Sequence, residues 1–485
     1  MLEAVKFQLS RQTNALLLDP GLAKTAITLA SLRTLFRKDL IRHAFIVAPL
    51  RVCFTTWPDE IAKWREFNHL TYKILHGPKK EQLLEQETML TLINPDGLEW
   101  LLDVKKERVS ENSKKFRIGV DLGRWQRLGV DVLVIDELTK FKHTTSDRFR
   151  ALKLVHHTVP RRWGLTGSPA ANGLEDLFGQ LYIIDQGRSL GPYITHYRRS
   201  YFLPRISTDP TKQSFGYTLR VGADQLIYQR IAPLALRMSA DDKLKLPPVI
   251  VNPIAIELPD SARRVYDELE DDLFTKLDEG RVVLAANAGV ATGKCRQVTG
   301  GAVYLTPDVL ELVKRAGKKE WVPIHSEKVE ALKDLVEQLQ GQPLLVGYEF
   351  EHELERLRVA FPEALFVKDV PAKRFKERIE TPWNRGELEL VIGQSSSMHL
   401  GLNMQGGGEH LCFFTLPWDF EVYDQLIRRL RRQGSRAKRI TCHVLQAKGT
   451  VDVVVAATLR RKNATQQDLF TALVEYARLT KRARS

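Results

Sequence analysis

Apolar and polar positions fall in repeating blocks along the chain. A short apolar run is followed by a turn rich in Gly, Pro or Asp, then by a stretch whose apolar positions recur every three or four residues. Residues 14–18 form the first run, 19–25 the turn, and 26–37 a predicted helix with Ile27, Leu29, Leu32, Leu35 and Phe36 at its apolar positions. Further strands are predicted at 44–48, 71–75, 92–94, 132–135 and 163–165. Unbroken apolar runs separated by helices predict a parallel sheet covered on both faces.

The rhythm fails between about residues 187 and 249, where Tyr193, Tyr197, Arg198, Arg199 and Tyr201 precede a polar, Pro-containing stretch. A helical pattern spans 261–278. A second strand–helix series starts near Glu327, with a helix through Leu332, Leu335 and Leu339 and strands at 344–347, 388–392, 410–414 and 439–444. The expected organisation is α/β in two lobes. It comprises an N-terminal lobe at 1–186, a connector or insertion at 187–256, a helical region at 257–324, a second lobe at 325–458 and a basic C-terminal helix and tail at 459–485.

Composition narrows the function classes. A chain of 485 residues supports several cores, and 43% hydrophobic with 27% charged residues excludes wholesale disorder, collagen and coiled coil. The cysteines, Cys53, Cys295, Cys412 and Cys442, stand singly, without the spacing of a zinc site or disulfide scaffold, and predict a reducing compartment. The N-terminus carries no secretory pattern and no apolar run approaches about 18 residues. The expectation is a soluble protein of the cytoplasm or nucleoid. The net charge of +14 is uneven, with 15 basic and 5 acidic residues from Glu421 to Ser485, which points to a polyanion partner.

Three segments carry chemistry. Asp19-Pro20-Gly21-Leu22-Ala23-Lys24-Thr25, leading into Ala26, places a Gly, a Lys and a hydroxyl between strand and helix. A phosphate loop needs that arrangement: converging backbone N–H groups, a helix N-terminus, a Lys for the outer phosphates and a hydroxyl for Mg²⁺. Ala23 stands where the strict pattern has Gly, and its Cβ hinders backbone approach. An ordinary strand-to-helix turn is the competing reading. The strand at 132–135 ends in Asp136 and Glu137, suited to holding Mg²⁺ and to orienting the attacking water; a solvated acidic turn is the bland alternative. Gln425, Arg429 and Arg432 stand at helical spacing, with Arg429 and Arg432 on one face, suited to the charge that builds on a γ-phosphate. Arg428 and Arg431 point elsewhere on that helix and are expected to contact DNA. His143, His156 and His157 form no ligand set. Trp57 and Trp64, two helical turns apart, read as core, and Gly406–Gly408 as a flexible loop.

Together these residues resemble superfamily 2 helicase-like ATPases, specifically the DEAD/DEAH-related Swi/Snf-type DNA translocases. The loop at 19–25 resembles their first motif. Residues 45–49 with Trp57 and Trp64 resemble motif Ia, and Asp136-Glu137 with Lys140 and Lys142 motif II. Residues 165–169, containing Thr166, Gly167 and Ser168, with Asn172 and Leu177, resemble motif III. Residues 344–348 resemble motif IV, Gly401-Leu402-Asn403 with Gln405 motif V, and Gln425, Arg429 and Arg432 motif VI. Leu246-Pro247-Pro248 and Arg296-Gln297 resemble the Swi/Snf branch. The order holds across roughly residues 4–447. Ala23, Arg428 and Leu138-Thr139 depart from the pattern, and no counterpart of the family's adenine-reading Gln is legible, Gln8 and Gln12 reading as surface residues.

The resemblance implies two RecA-like lobes with helical insertions, ATP and Mg²⁺ in the cleft, and double-stranded DNA gripped by both. Lys24, Glu137, Gln425, Arg429 and Arg432 are then catalytic, residues 19–26 bind nucleotide and Thr25 and Asp136 hold the metal. Thr166, Gly167, Ser168, Gly401, Leu402, Asn403, Arg428 and Arg431 couple hydrolysis to DNA. The expected function is an ATP-dependent DNA translocase, with no membrane association. Alternatives are a strand-separating helicase, a packaging motor, which would end in an acidic nuclease-like cluster absent here, and a non-hydrolysing DNA-binding scaffold.

Overall fold

A computed structural model describes all residues except 109–115, 168, 171–172, 205–216, 241–243, 279–284, 306–320, 399–400, 462–471, 473–475 and 477–485. The chain divides into two compact units, one of residues 1–204 and 217–245, the other from Leu246 onward.

The first unit is built on a seven-stranded parallel sheet. Its order is Ala235–Met238, Thr13–Leu18, Arg161–Thr166, Val132–Asp136, Ala44–Val47, Leu90–Ile93 and Tyr72–Ile74. The apolar runs are continuous because both faces are covered. Ala15, Leu17, Phe45, Val47, Leu133 and Ile135 belong to one core, while Leu16, Leu18, Ala44, Ile46, Val132 and Val134 belong to the other. Successive side chains of a strand point to opposite faces, so each run feeds two cores. An antiparallel hairpin, Lys105–Arg108 with Phe116–Gly119, lies outside this sheet.

The second unit repeats the scheme with six parallel strands. The order is Val249–Ile256, Ile440–Ala447, His410–Phe413, Leu344–Tyr348, Leu390–Gln394 and Leu365–Phe366. Leu345, Val391, Leu411 and Phe413 face one core, and Leu344, Val346, Ile392 and Cys412 the other. The architecture is α/β with two parallel sheets flanked by helices.

The stretch 187–256, expected as a connector, contributes an edge strand to each sheet. Ala235–Met238 pairs with Thr13–Leu18, and Val249–Ile256 pairs with Ile440–Ala447. Both are exposed on part of their surface; Arg237 interrupts the apolar pattern of the first and Asn252-Pro253 that of the second. The basic tail at 459–485 lies almost wholly outside the described residues. No helix of the described residues is long and apolar enough to cross a membrane. The four cysteines are buried free thiols.

Candidate functional site

The C-terminal ends of parallel strands are where open α/β sheets meet their ligands. In the first unit Thr13–Leu18 ends at Asp19 and the helix Lys24–Arg37 begins five residues later. The intervening loop turns on a bond from Leu22 N to Asp19 O (3.3 Å) and on Gly21 at φ +92°. Ala23 is the residue before the helix and lies in the left-handed region, φ 56° and ψ 38°. A residue with a Cβ is disfavoured there, so the departure from Gly affects backbone conformation as well as access.

Lys24 folds back over the loop, its Nζ donating to Leu18 O (2.6 Å) and Asp19 O (3.5 Å). The Asp19 carboxylate accepts from Ala240 N (3.0 Å) and Ser239 Oγ (3.4 Å), tying the loop to the residues after the edge strand Ala235–Met238. Gln8, read from sequence as a surface residue, is fully buried. It accepts from Ser31 Oγ (2.9 Å) and donates to Thr28 Oγ1 (3.4 Å), so it braces the helix behind the loop. Thr25 is half-buried in the first turn of that helix and Ala26 is buried beneath it.

Two strands away, Val132–Asp136 ends in the carboxylate pair. Asp136 Oδ2 accepts from Trp57 Nε1 (3.0 Å). Burial pushes the Asp136 pKa up to about 6, the neighbouring Glu137 charge adds to the rise, and the Trp57 bond and the Lys24 charge oppose it. Glu137 has φ 72° and ψ 72°, a second position of the candidate site in left-handed space. Its N donates to Leu165 O (2.9 Å), and its Oε1 accepts from Thr139 Oγ1 (2.9 Å) and Thr166 Oγ1 (3.0 Å). The segments that resemble motifs II and III thus meet through one carboxylate. A Cβ built on Gly167 would lie 2.9 Å from Pro20 Cδ and 3.6 Å from Lys24 Nζ, so a side chain there would crowd the loop. Behind them Gln180 Nε2 donates to Pro169 O (2.7 Å), and Lys142 pairs with Asp176 at 3.2 Å. Ser168 and Asn172 lie outside the described residues.

The structure corrects the pairing of the two tryptophans. Trp57 is fully buried, but Trp64 follows the end of the helix Thr56–Lys63 in extended backbone and is 39% exposed, so the two do not share a helical face. Trp57 reaches Asp136 across 79 residues, a contact without a local sequence signal.

In the second unit the helix Phe420–Leu430 is capped by Asp419, whose Oδ1 accepts from Glu421 N (2.8 Å). Gln425 is buried and donates to Glu421 Oε1 (3.0 Å). Arg429, also buried, donates to Gln425 O (3.2 Å) and Leu402 O (3.3 Å), while Arg432 NH1 donates to Asn403 Oδ1 (2.5 Å). The Gly401–Asn403 segment and the arginines are therefore in contact. Arg432 does not share a helical face with Arg429, because the helix ends at Leu430 and a turn, Arg432 N to Leu430 O, places it. Arg428 pairs with Asp424 at 2.6 Å, and Arg431 Nε donates to Pro247 O (2.9 Å). Gly406–Gly408 is a packed segment: Gly406 N donates to Asn384 Oδ1 (2.8 Å), and a Cβ on Gly407 would collide with the Trp383 carbonyl. The tight approach to Trp383 is why glycine is needed there.

The donor set of the first unit suits a hard cation. The Thr25 hydroxyl and the Asp136 carboxylate are oxygen donors, the kind a hard cation takes. Few protein oxygens with phosphate completing the shell is the usual magnesium arrangement.

Residues 2–300 match the SNF2-related domain. The chain is 32% identical over 466 residues to protein p41 of Acyrthosiphon pisum secondary endosymbiont phage 1, with 93% of each chain covered. It is 22% identical over 476 residues to the CHD3-type chromatin-remodeling factor CHR7 of Arabidopsis thaliana, covering 93% of this chain and 35% of that one. Among solved structures, the Sulfolobus solfataricus SWI2/SNF2 ATPase core in complex with dsDNA aligns over 99% of this chain and 94% of its own, at 16% identity and a TM-score of 0.39. The chain thus spans nearly all of the phage protein and about a third of the plant factor.

Proposed function

The chain belongs to the SNF2-related family, and from that premise we propose that it is a DNA-stimulated ATPase that moves along double-stranded DNA. The observation that carries the reading is the clustering at one sheet edge. Lys24 folds over a phosphate-type loop, Asp136 ends the strand two places away in the same sheet, and Glu137 is held by Thr139 and Thr166.

In this proposal the amides of residues 19–25 and the Lys24 ammonium bind the outer phosphates, at the positive end of the helix Lys24–Arg37. Thr25 and Asp136 would hold Mg²⁺, which when bound screens the charge of those phosphates. Glu137 orients the attacking water, with its carboxylate fixed by two hydroxyls. Gln425, Arg429 and Arg432 answer the charge that develops during transfer. The Thr166 bond gives the hydrolytic carboxylate a direct link to the segment assigned to DNA coupling. Gly401, Leu402, Asn403, Arg428 and Arg431 complete that assignment.

Phosphate release measured with and without duplex DNA tests the reading. The parent is expected to hydrolyse ATP only with Mg²⁺ and faster with DNA. Lys24→Ala should lose turnover, and Glu137→Gln should bind ATP without hydrolysing it. If both variants match the parent, the assigned site is wrong. Fork unwinding in the same preparation would favour a strand-separating helicase.

A further inference from the structure

A pocket of about 560 Å³ opens on the first unit and shares no residue with the nucleotide loop or the carboxylate pair. Its lining is aromatic and cationic: Phe149, Tyr182 and Tyr193 with Arg117, Arg150 and Lys153. No Asp or Glu lines it among the described residues. The volume falls in the range of sites that enclose one small organic ligand, about 300–1,000 Å³.

The parts come from separate elements. Arg150 and Lys153 lie one turn apart on the helix Asp147–Val155, on the same side. Arg117 belongs to the strand Phe116–Gly119, and Arg150 NH2 donates to Phe116 O (2.7 Å), joining hairpin to helix. Lys153 Nζ sits 4.7 Å from the centroid of the Tyr182 ring, whose neighbours are Phe149 at 6.0 Å and Phe178 at 5.8 Å. Tyr193 is 61% exposed, a large ring left in water beside these cations.

We infer that this pocket binds single-stranded nucleic acid, taking one base against the exposed Tyr193 ring and the flanking phosphates on Arg117, Arg150 and Lys153. Two features select that ligand. Base stacking on aromatic side chains combined with a cationic groove is how strands are held without sequence reading. A duplex keeps its bases paired and stacked, so it offers the phosphates but cannot fill an aromatic pocket without flipping a base out. The inference does not rest on the motor activity proposed above, because none of these residues serves that site.

The test uses the full chain without ATP, a fluorescein-labelled oligothymidylate read by anisotropy, and saturating unlabelled duplex. The strand is expected to bind in the presence of the duplex. Tyr193→Ala should weaken it roughly 5- to 100-fold, while Tyr193→Phe stays within about twofold because stacking needs the ring and not the hydroxyl. Arg150→Gln with Lys153→Gln should lower the salt slope by about 0.7 for each phosphate that is no longer neutralised. A strand carrying 5-iodouracil should photocrosslink to Tyr193. Thermal melting of each variant checks that the fold persists, and Lys24→Ala should bind the strand like the parent even where ATP turnover is lost. Parental binding by Tyr193→Ala, complete displacement by duplex, or crosslinks confined elsewhere would overturn the proposal. So would thymidine monophosphate binding as tightly as the strand, or a Glu-Tyr copolymer outcompeting it, which would make the pocket a nucleotide or protein site.

Discussion

Substituting Ala23 by Gly tests the phosphate loop at its most unusual residue. Ala23 holds φ 56° and ψ 38°, where a Cβ costs about 1–2 kcal/mol. Glycine removes that penalty, while the greater freedom it gives the unfolded chain offsets about 0.4–1 kcal/mol. The net expectation for Ala23→Gly is a stabilisation of about 0.5–1 kcal/mol. At roughly 2–4 °C per kcal/mol for a unit of this size, the melting temperature should rise by about 1–4 °C. Ala23→Val should move the other way, because a β-branched residue is a stronger outlier in that region. Scanning fluorimetry reads both, and a parallel titration with ATP and Mg²⁺ should show affinity unchanged or improved in Ala23→Gly, since the backbone is freer to approach phosphate. A fall of several degrees in Ala23→Gly, with Ala23→Val neutral, would mean the residue is not left-handed. A large loss of nucleotide affinity would refute the loop as a phosphate cradle.

Arg432→Ala, and with it Arg429→Ala, should keep ATP and DNA binding while losing about 10³–10⁵ in turnover, whereas Arg428→Ala should mainly lower DNA affinity; uniform DNA losses with turnover intact would recast the whole run as a phosphate-gripping strip. Duplex affinity should fall linearly in log salt with a slope of about −0.9 per neutralised phosphate and little sequence preference, and a shallow slope with strong preference would point to a specific regulator. His352 is buried against Phe350, both ring nitrogens lack a partner, and burial with the nearby Arg356 charge lowers its pKa to about 3. The unfolded ring takes up a proton below about 6.5 while the folded one resists, so stability falls as pH drops from 6.5 toward 3. His352→Phe should therefore raise the melting temperature more at about pH 5 than at about pH 8, and an equal change at both pH values would show that the ring does not resist protonation.

Central strands were legible because burial on both faces makes them short unbroken apolar runs. Val132–Asp136 and Leu344–Tyr348 stand within a residue of where the pattern puts them. Of the edge strands of the first sheet, Tyr72–Ile74 was legible, while Ala235–Met238 carries Arg237 and reads as part of a polar stretch. The membership of the candidate site was legible as residue types at motif spacing, since Lys24, Asp136, Glu137 and Thr166 all follow or end strands of one sheet. Its geometry was not. Positive φ at Ala23 and Glu137 comes from the loops closing around them, and the Trp57 bond to Asp136 and the burial of Gln8 come from contacts distant in sequence. The face shared by Arg429 and Arg432 failed because helical spacing continues on paper past Leu430, where the helix ends.

The bond from Ala240 N to the Asp19 carboxylate joins residues 221 positions apart. On the ribosome, residue 19 emerges long before its partner exists. At about 5–20 residues per second, the loop waits on the order of ten to forty seconds for its closing strand and cap. The helix behind it can form early, since Gln8, Thr28 and Ser31 are all made near the start of synthesis. A nascent chain therefore carries an unfinished loop until half of its length has been made, and on the function proposed above nucleotide would be gripped fully only once residues 235–240 have docked. On that same proposal, chains released before that point would carry all of residues 19–25 and still bind ATP poorly.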